Sequence, residues 1–159
     1  MEIPTRIFET VAFETKQLLI GEHEFELKSI TAEQTLALRQ AVLWPDYPLS
    51  QSRVDDDGFG LHLGLFFKKE LVCVASLFLQ QGKLRLRKFA CQTSLQNSGL
   101  GSTVLHEIIR MAKANPGIDT FWCDARQDAL GFYQRFGLSQ NSKLFYKHNV
   151  AYVKMEMTV

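Results

Sequence analysis

Apolar and polar positions along the chain set out a definite order of elements. Glu24 to Ile30 reads as a strand. Thr31-Ala-Glu-Gln34 has the spacing of a capping box, in which the threonine oxygen and the Gln34 side chain satisfy free N–H groups at a helix start. The helix it opens runs to about Leu43 and is stopped by Pro45. The polar segment Asp46 to Gly60, with Pro48, Gly58 and no sustained period, is a long loop or holds one short helical turn, and loops of this length are often functional. The runs "LHLGLFFK" and "LVCVASLFL", joined by Lys69-Glu70, and "KLRLRKFA" after the turn Gln81-Gly82 predict a three-stranded antiparallel meander.

Leu100, Val104, Leu105, Ile108, Ile109 and Ala112 then recur at three-to-four spacing, the buried stripe of a helix that Asn115-Pro116-Gly117 ends. "TFWCDA" is the next strand, and Ala129, Phe132, Tyr133 and Phe136 form a second helical stripe that Gly137 caps. "KLFYK" and "VAYVKMEM" around His148-Asn149 predict a closing hairpin. Residues 1–23 lack a clean period and are a short strand or an N-terminal extension, leaving 24–159 as a single domain. Strand 84–90, helix 100–114 and strand 119–124 make a crossover long enough to join parallel neighbours. The expected fold is α/β in the α+β sense: a mostly antiparallel mixed sheet with one parallel strand pair and helices on its faces.

Composition narrows the function. The 159 residues suffice for one sizeable core, with 46% hydrophobic residues, 22% charged residues and a formal charge of +1. So even a balance offers no footprint for nucleic acid or acidic lipid, and Arg85, Arg87 and Lys88, alternating with Leu84, Leu86 and Phe89, read as the polar face of a strand. Cys73, Cys91 and Cys123, widely spaced and odd in number, fit buried free thiols in a reducing compartment. No basic segment with an apolar core opens the sequence and no apolar run reaches bilayer length, so a soluble cytoplasmic protein with no membrane partner is expected. The four histidines show no metal-ligand spacing.

The segment "FACQTSLQNSGLGSTVLHEIIRMA", Phe89 to Ala112, places Gly99 and Gly101 between an apolar run and the start of an amphipathic helix. A helix N-terminus presents unpaired N–H groups and partial positive charge, and glycine lets a phosphate approach them closely. The alternative is that the glycines only shape a strand-to-helix turn. The third glycine of a dinucleotide fingerprint and the lysine of a triphosphate loop are both missing.

Gln96-Asn97-Ser98-Gly99-Leu100-Gly101 resembles the Q/R-x-x-G-x-G/A motif of the GNAT N-acetyltransferase superfamily, and it sits between a strand and a helix as that motif does. "DARQDALGFYQRFGL", Asp124 to Leu138, is similar to the family's second signature, and "YVKMEM" to its last strand. The resemblance spans roughly Glu24 to the C-terminus. It implies an acyl-CoA N-acyltransferase fold and acetyl-CoA as co-substrate. The coenzyme pyrophosphate would lie on the amides of Gln96, Asn97, Ser98, Gly99, Leu100, Gly101 and Ser102. The pantetheine arm would pair with the backbone of Lys88, Phe89 and Ala90, in a wedge between this strand and the one ending near Asp124, with Phe132 of the second signature also at the coenzyme.

Direct acetyl transfer to a primary amine needs a neutral nitrogen, a donor aimed at the carbonyl oxygen and a proton for the departing thiolate. An amide near Phe89 or Ala90 fits the second need, and Tyr133 aligns with the family's tyrosine at the leaving sulfur, its alternative being a core aromatic. Asp124 is either the acceptor of the amine proton or an ordinary hydrogen-bonded carboxylate. His62 reads as a satisfied core histidine rather than a base, and Cys91 as a less favoured acetyl carrier. Asp55, Asp56 and Asp57 read as a solvated loop, with attraction of a cationic amine as the alternative. Trp44 and Tyr47 are candidates for the acceptor pocket. A small molecule or a peptide amine is the expected acceptor, and sheet-edge pairing in the family admits a homodimer. The competing function is a non-catalytic acyl-CoA-binding or interaction module of the same fold.

Overall fold

A computed structural model describes residues 6–7, 11–95 and 98–159. Strands β1 (Lys16–Ile20), β2 (His23–Ile30), β3 (Leu61–Phe67), β4 (Glu70–Gln80) and β5 (Lys83–Cys91) run antiparallel in chain order. Helix α2 (Leu100–Ala114) carries the chain to β6 (Thr120–Arg126), which pairs parallel with β5. Strand β9 (Val150–Thr158) lies antiparallel on β6 and takes the short β7 (Ser139–Gln140) and β8 (Phe145–Lys147) along its other edge. The mixed sheet with one parallel pair is therefore present as the sequence predicts.

Of the two readings of the N-terminal region, the described part contains the strand: β1 pairs with β2 from Lys16↔Leu27 to Ile20↔His23. Ile7 and Val11 are buried in the same core as the sheet.

Local chemistry accounts for the elements that frame the site. At Thr31 the capping box is complete: Gln34 N donates to Thr31 Oγ1 at 3.2 Å and Thr31 N to Gln34 Oε1 at 2.8 Å. Helix α1 (Ala32–Leu38) continues as a π-helical turn over Arg39–Leu43 and ends at Trp44, just before Pro45. The loop after it holds two 3₁₀ turns, Leu49–Ser52 and Asp57–Phe59.

The hairpin turns of β3–β4, β4–β5 and β8–β9 each place two residues at positive φ: Lys68 and Lys69, Gln81 and Gly82, His148 and Asn149. The first lies one residue earlier than the Lys69-Glu70 junction expected from sequence, because Glu70 already belongs to β4. The carbonyl of Tyr133 accepts from Leu138 N at 3.3 Å while Gly137 sits at φ +99°, so Gly137 closes α3 (Leu130–Gln134) as predicted.

Helix α2 buries Leu100, Val104, Leu105, Ile108, Ile109 and Ala112 against the sheet, the full predicted stripe. Each leucine, isoleucine or valine among them contributes about 1.5–3 kcal/mol by leaving water. Glu107 is buried with them, its carboxylate 2.8 Å from Lys16 Nζ of β1. The sheet side of this core is Leu27, Leu65, Cys73, Ala75, Leu84, Leu86, Phe121 and Cys123.

Candidate active site

The parallel pair β5–β6 ends early. It runs from Lys83↔Thr120 to Leu86↔Cys123, after which β6 continues on β9 as far as Arg126 while β5 stays with β4. Part of the divergence is built into β5 itself. Val74 faces Ala90 and Ser76 faces Arg87, so two steps on β4 span three on β5, a bulge of one extra residue. Lys88 takes the left-handed conformation there, with φ +53°. The gap is the floor of a cleft of about 770 Å³.

Lys88, Phe89 and Ala90 line the cleft from β5, and Asp124 and Tyr133 from β6 and α3. Trp44 and Tyr47, the residues expected at the acceptor, close it from the loop after α1. Phe132 and residues 98–102 are not in the lining. Phe132 packs beside it, its ring 6.2 Å from Phe89 and 5.1 Å from Tyr133. The start of α2 stands next to the same strand: a Cβ on Gly101 would lie 3.5 Å from Phe89 Cζ and 3.7 Å from Cys91 Sγ.

Gly99 is the N-cap of α2 at φ +86°, a conformation glycine adopts freely, and no side chain caps the helix. Among the described residues, the first-turn N–H groups are thus left for a ligand or water. Ser98 and Gly99 are exposed, Gly101 and Ser102 half-buried, and the Leu100 side chain belongs to the core. Gln96 and Asn97 lie outside the described residues.

Tyr133 is only 8% exposed. Burial, reinforced by the adjacent Cys123, pushes its phenol well above 10, so it is a proton-bearing donor at neutral pH. Its hydroxyl is hydrogen-bonded to the Cys123 thiol, which burial next to Asp124 raises to about 12. Asp124 Oδ2 is shared by Arg85 Nη2 at 2.8 Å and Lys147 Nζ at 3.1 Å. Cys91 lines the cleft with its Sγ 2.6 Å from that of Cys73, the residue opposite it on β4.

Three features escaped the sequence reading. Asp57 is not part of a solvated run: its carboxylate takes both Nη atoms of the fully buried Arg39 at 2.9 Å each and Val54 N at 3.0 Å. Arg39 also donates to Ser52 O and Ser76 Oγ, and His62 closes the network through Ser76 Oγ at 2.7 Å and Asp57 O at 2.9 Å. His62 is the satisfied core histidine expected of it. Burial lowers its pKa, against the raising effect of the Asp57 carbonyl and carboxylate. This network ties the loop to the sheet and so fixes the cleft wall that carries Trp44 and Tyr47.

The second feature is an aromatic group of Trp44, Tyr47 and His148, with ring centroids 5.1 to 5.4 Å apart. The third is the cationic lining added by Arg126 and Lys147. No sequence spacing links these positions. Among the described residues no group of three or more His, Cys, Asp or Glu could hold a metal, and no helix is long and apolar enough to cross a membrane.

An open mixed sheet, split beside a bulge and followed by a glycine-capped helix, defines the acyl-CoA N-acyltransferase fold. The family described as acetyltransferase (GNAT) domain matches residues 49–159, and the chain belongs to it. An uncharacterized N-acetyltransferase of Bacillus subtilis, YitI, is 28% identical over 130 residues, covering 76% of this chain and 86% of that protein. Among solved structures, Escherichia coli ElaA superposes with a TM-score of 0.71 at 17% identity, over 83% of this chain and 98% of that one. A GNAT family acetyltransferase from Elizabethkingia anophelis with acetyl-CoA bound superposes with a TM-score of 0.66 at 14% identity, over 85% and 98% of the respective chains.

Proposed function

We propose that this protein transfers the acetyl group of acetyl-CoA directly to a primary amine of a small molecule or peptide. The observation that carries the reading is the divergence of β5 from β6 beyond Leu86 and Cys123, with the protonated Tyr133 on its wall. The binding of acetyl-CoA by one protein of the same fold supports the choice of coenzyme.

In this reading the amides from Gln96 to Ser102 receive the pyrophosphate, and the bulged backbone of Lys88, Phe89 and Ala90 receives the pantetheine arm. Phe132 backs Phe89 from α3. The amine nitrogen attacks the thioester carbonyl carbon, and an N–H near Phe89 or Ala90 steadies the oxygen as it gains charge. Collapse breaks the C–S bond, and Tyr133 gives or shares its proton with the departing thiolate. The proton lost by nitrogen passes toward the carboxylate of Asp124, directly or through water.

The test is thiol release with acetyl-CoA across a broad panel of amines, with the acetylated product weighed by mass spectrometry. The reading expects at least one amine to yield equal amounts of thiol and N-acetyl product. Acetyl-CoA binding without thiol release from any amine would make the protein a binding module of the same fold.

A further inference from the structure

The cleft holds more positive charge than the chemistry of an amine calls for. Arg85, Arg87, Lys88, Arg126 and Lys147 line it against Asp124 and Asp128. Asp124 is taken up by Arg85 and Lys147. Lys88 and Arg126 have no carboxylate partner among the described residues, and both converge on one side chain. The Lys88 Nζ lies 5.9 Å from the centre of the Trp44 ring and the Arg126 guanidinium 5.1 Å from it.

The arrangement is fixed from several sides. Arg126 Nη2 donates to Leu43 O at 2.7 Å, which anchors it at the end of the π-helical turn. Trp44 is held edge-on by Tyr47 at 5.4 Å and His148 at 5.3 Å. The Lys88 backbone is set by the bulge. Burial and the like charges of Arg87, Arg39, Lys147 and Arg126 bring the Lys88 ammonium down to about 8, the behaviour of a cation held without a counterion. Two cations set against one indole ring can receive an anion and the short stem that bears it.

We propose that Lys88 and Arg126, converging on Trp44, form an anion subsite, and that the acceptor is a primary amine carrying a carboxylate or phosphate group. The inference rests on the acetyltransferase reading for the word acceptor. The same positive surroundings disfavour an ammonium, so they help hold the attacking amine neutral.

The test uses matched acceptors at saturating acetyl-CoA: phenylalanine against phenylalanine amide, and phosphoethanolamine against ethanolamine. The anionic member of one pair is expected to have the higher kcat/KM by about 10-fold or more, the worth of a charge-assisted hydrogen bond, and the pair that shows it identifies carboxylate or phosphate. The amine of the amide is the less basic and so the more available as free base, which works against the expected result in the first pair. Lys88→Met and Arg126→Gln should each shrink the preference mainly through the acceptor KM. Equal or better turnover of the neutral members in both pairs overturns the proposal, as does a rise in acetyl-CoA KM in place of the acceptor KM.

A second arm needs no turnover. Tryptophan fluorescence of the wild-type protein is titrated with N-acetylphenylalanine and its amide, and with phosphate. Tighter binding of an anion than of the neutral amide is expected. If an anion binds while no amine releases thiol, the subsite stands and the acetyltransferase reading falls. If the neutral amide binds at least as tightly as either anion, the subsite falls whatever the turnover.

Discussion

Replacing Tyr133 with phenylalanine separates chemistry from binding, because it removes one hydroxyl and leaves the ring that packs 5.1 Å from Phe132 in place. Among the described residues the hydroxyl interacts with the Cys123 thiol, and a neutral hydrogen bond of that kind is worth about 1 kcal/mol. In a domain of this size that lowers the melting temperature by roughly 2–4 °C. Loss of a proton donor to the thiolate costs far more, about 100-fold to 10,000-fold in turnover. A 100-fold loss is about 2.7 kcal/mol of barrier, well above the stability change. Thiol release at saturating coenzyme gives turnover, titration calorimetry gives coenzyme affinity, and a thermal melt gives stability. The expected outcome for Tyr133→Phe is a large fall in kcat, an acetyl-CoA Kd within a few-fold of wild type and a small shift in Tm. A kcat within a few-fold of wild type, or equal losses in kcat and coenzyme affinity, would refute the assignment.

Other outcomes follow from the same geometry. Asp57→Ala strands the fully buried Arg39 guanidinium and should cost about 3–5 kcal/mol in urea unfolding, much of it regained in the double variant Arg39→Met with Asp57→Ala. Burial alone raises the Asp57 carboxyl, yet Arg39 and the Val54 N–H outweigh it and hold the group below its ordinary range. Its stabilisation is therefore complete above about pH 4 and lost as pH falls through the folded value, while His62, lowered by burial, adds a loss that starts below about pH 6.5. A Tm that stays flat from pH 7 to pH 4 contradicts the His62 part, and a Tm that falls no further below pH 4 contradicts the Asp57 part. Gly101→Ala, whose Cβ meets nothing nearer than 3.5 Å among the described residues, should keep the Tm of wild type while weakening acetyl-CoA binding in calorimetry. Preference for an anionic acceptor should fade as pH rises through about 8, where Lys88, surrounded by Arg87, Arg39, Lys147 and Arg126, loses its charge.

What could be read from the sequence was local. The capping box at Thr31, the α2 stripe, the Gly137 cap and the Gln81-Gly82 turn each depend on residues a few positions apart, and each stands in the structure. The Lys68-Lys69 turn was displaced by one residue because two lysines at positive φ carry none of the glycine or asparagine signal such turns show. Glycine spacing and the likeness of Asp124 to Leu138 to the family's second signature pointed to Gly99, Gly101 and Tyr133.

Contacts made only in three dimensions were not legible. Arg39 and Asp57 are 18 residues apart on a helix and a loop, so an aspartate run that reads as solvated hides a buried ion pair. The bulge at Lys88 leaves only a polar doublet, Arg87-Lys88, that shifts the apolar phase from Leu84 and Leu86 to Phe89, a mark easily taken for an ordinary pair of charged residues. Arg126 and Lys147 reach the cleft through the pairing of β6 and β8 with β9, a topology that fixes their positions but that no motif announces.

The central claim is that the gap beside β5 and the glycine-capped start of α2 together grip an acyl-coenzyme A. Isothermal titration of the protein with acetyl-CoA, alongside Gly99→Val, tests it most directly, since valine is strained at φ +86° and sets a branched side chain at the mouth of the helix. The account predicts saturable one-to-one binding by the wild type, with affinity lost in the variant while its fold persists by circular dichroism. No heat from the wild type, or a folded Gly99→Val protein that binds as tightly as wild type, would contradict it.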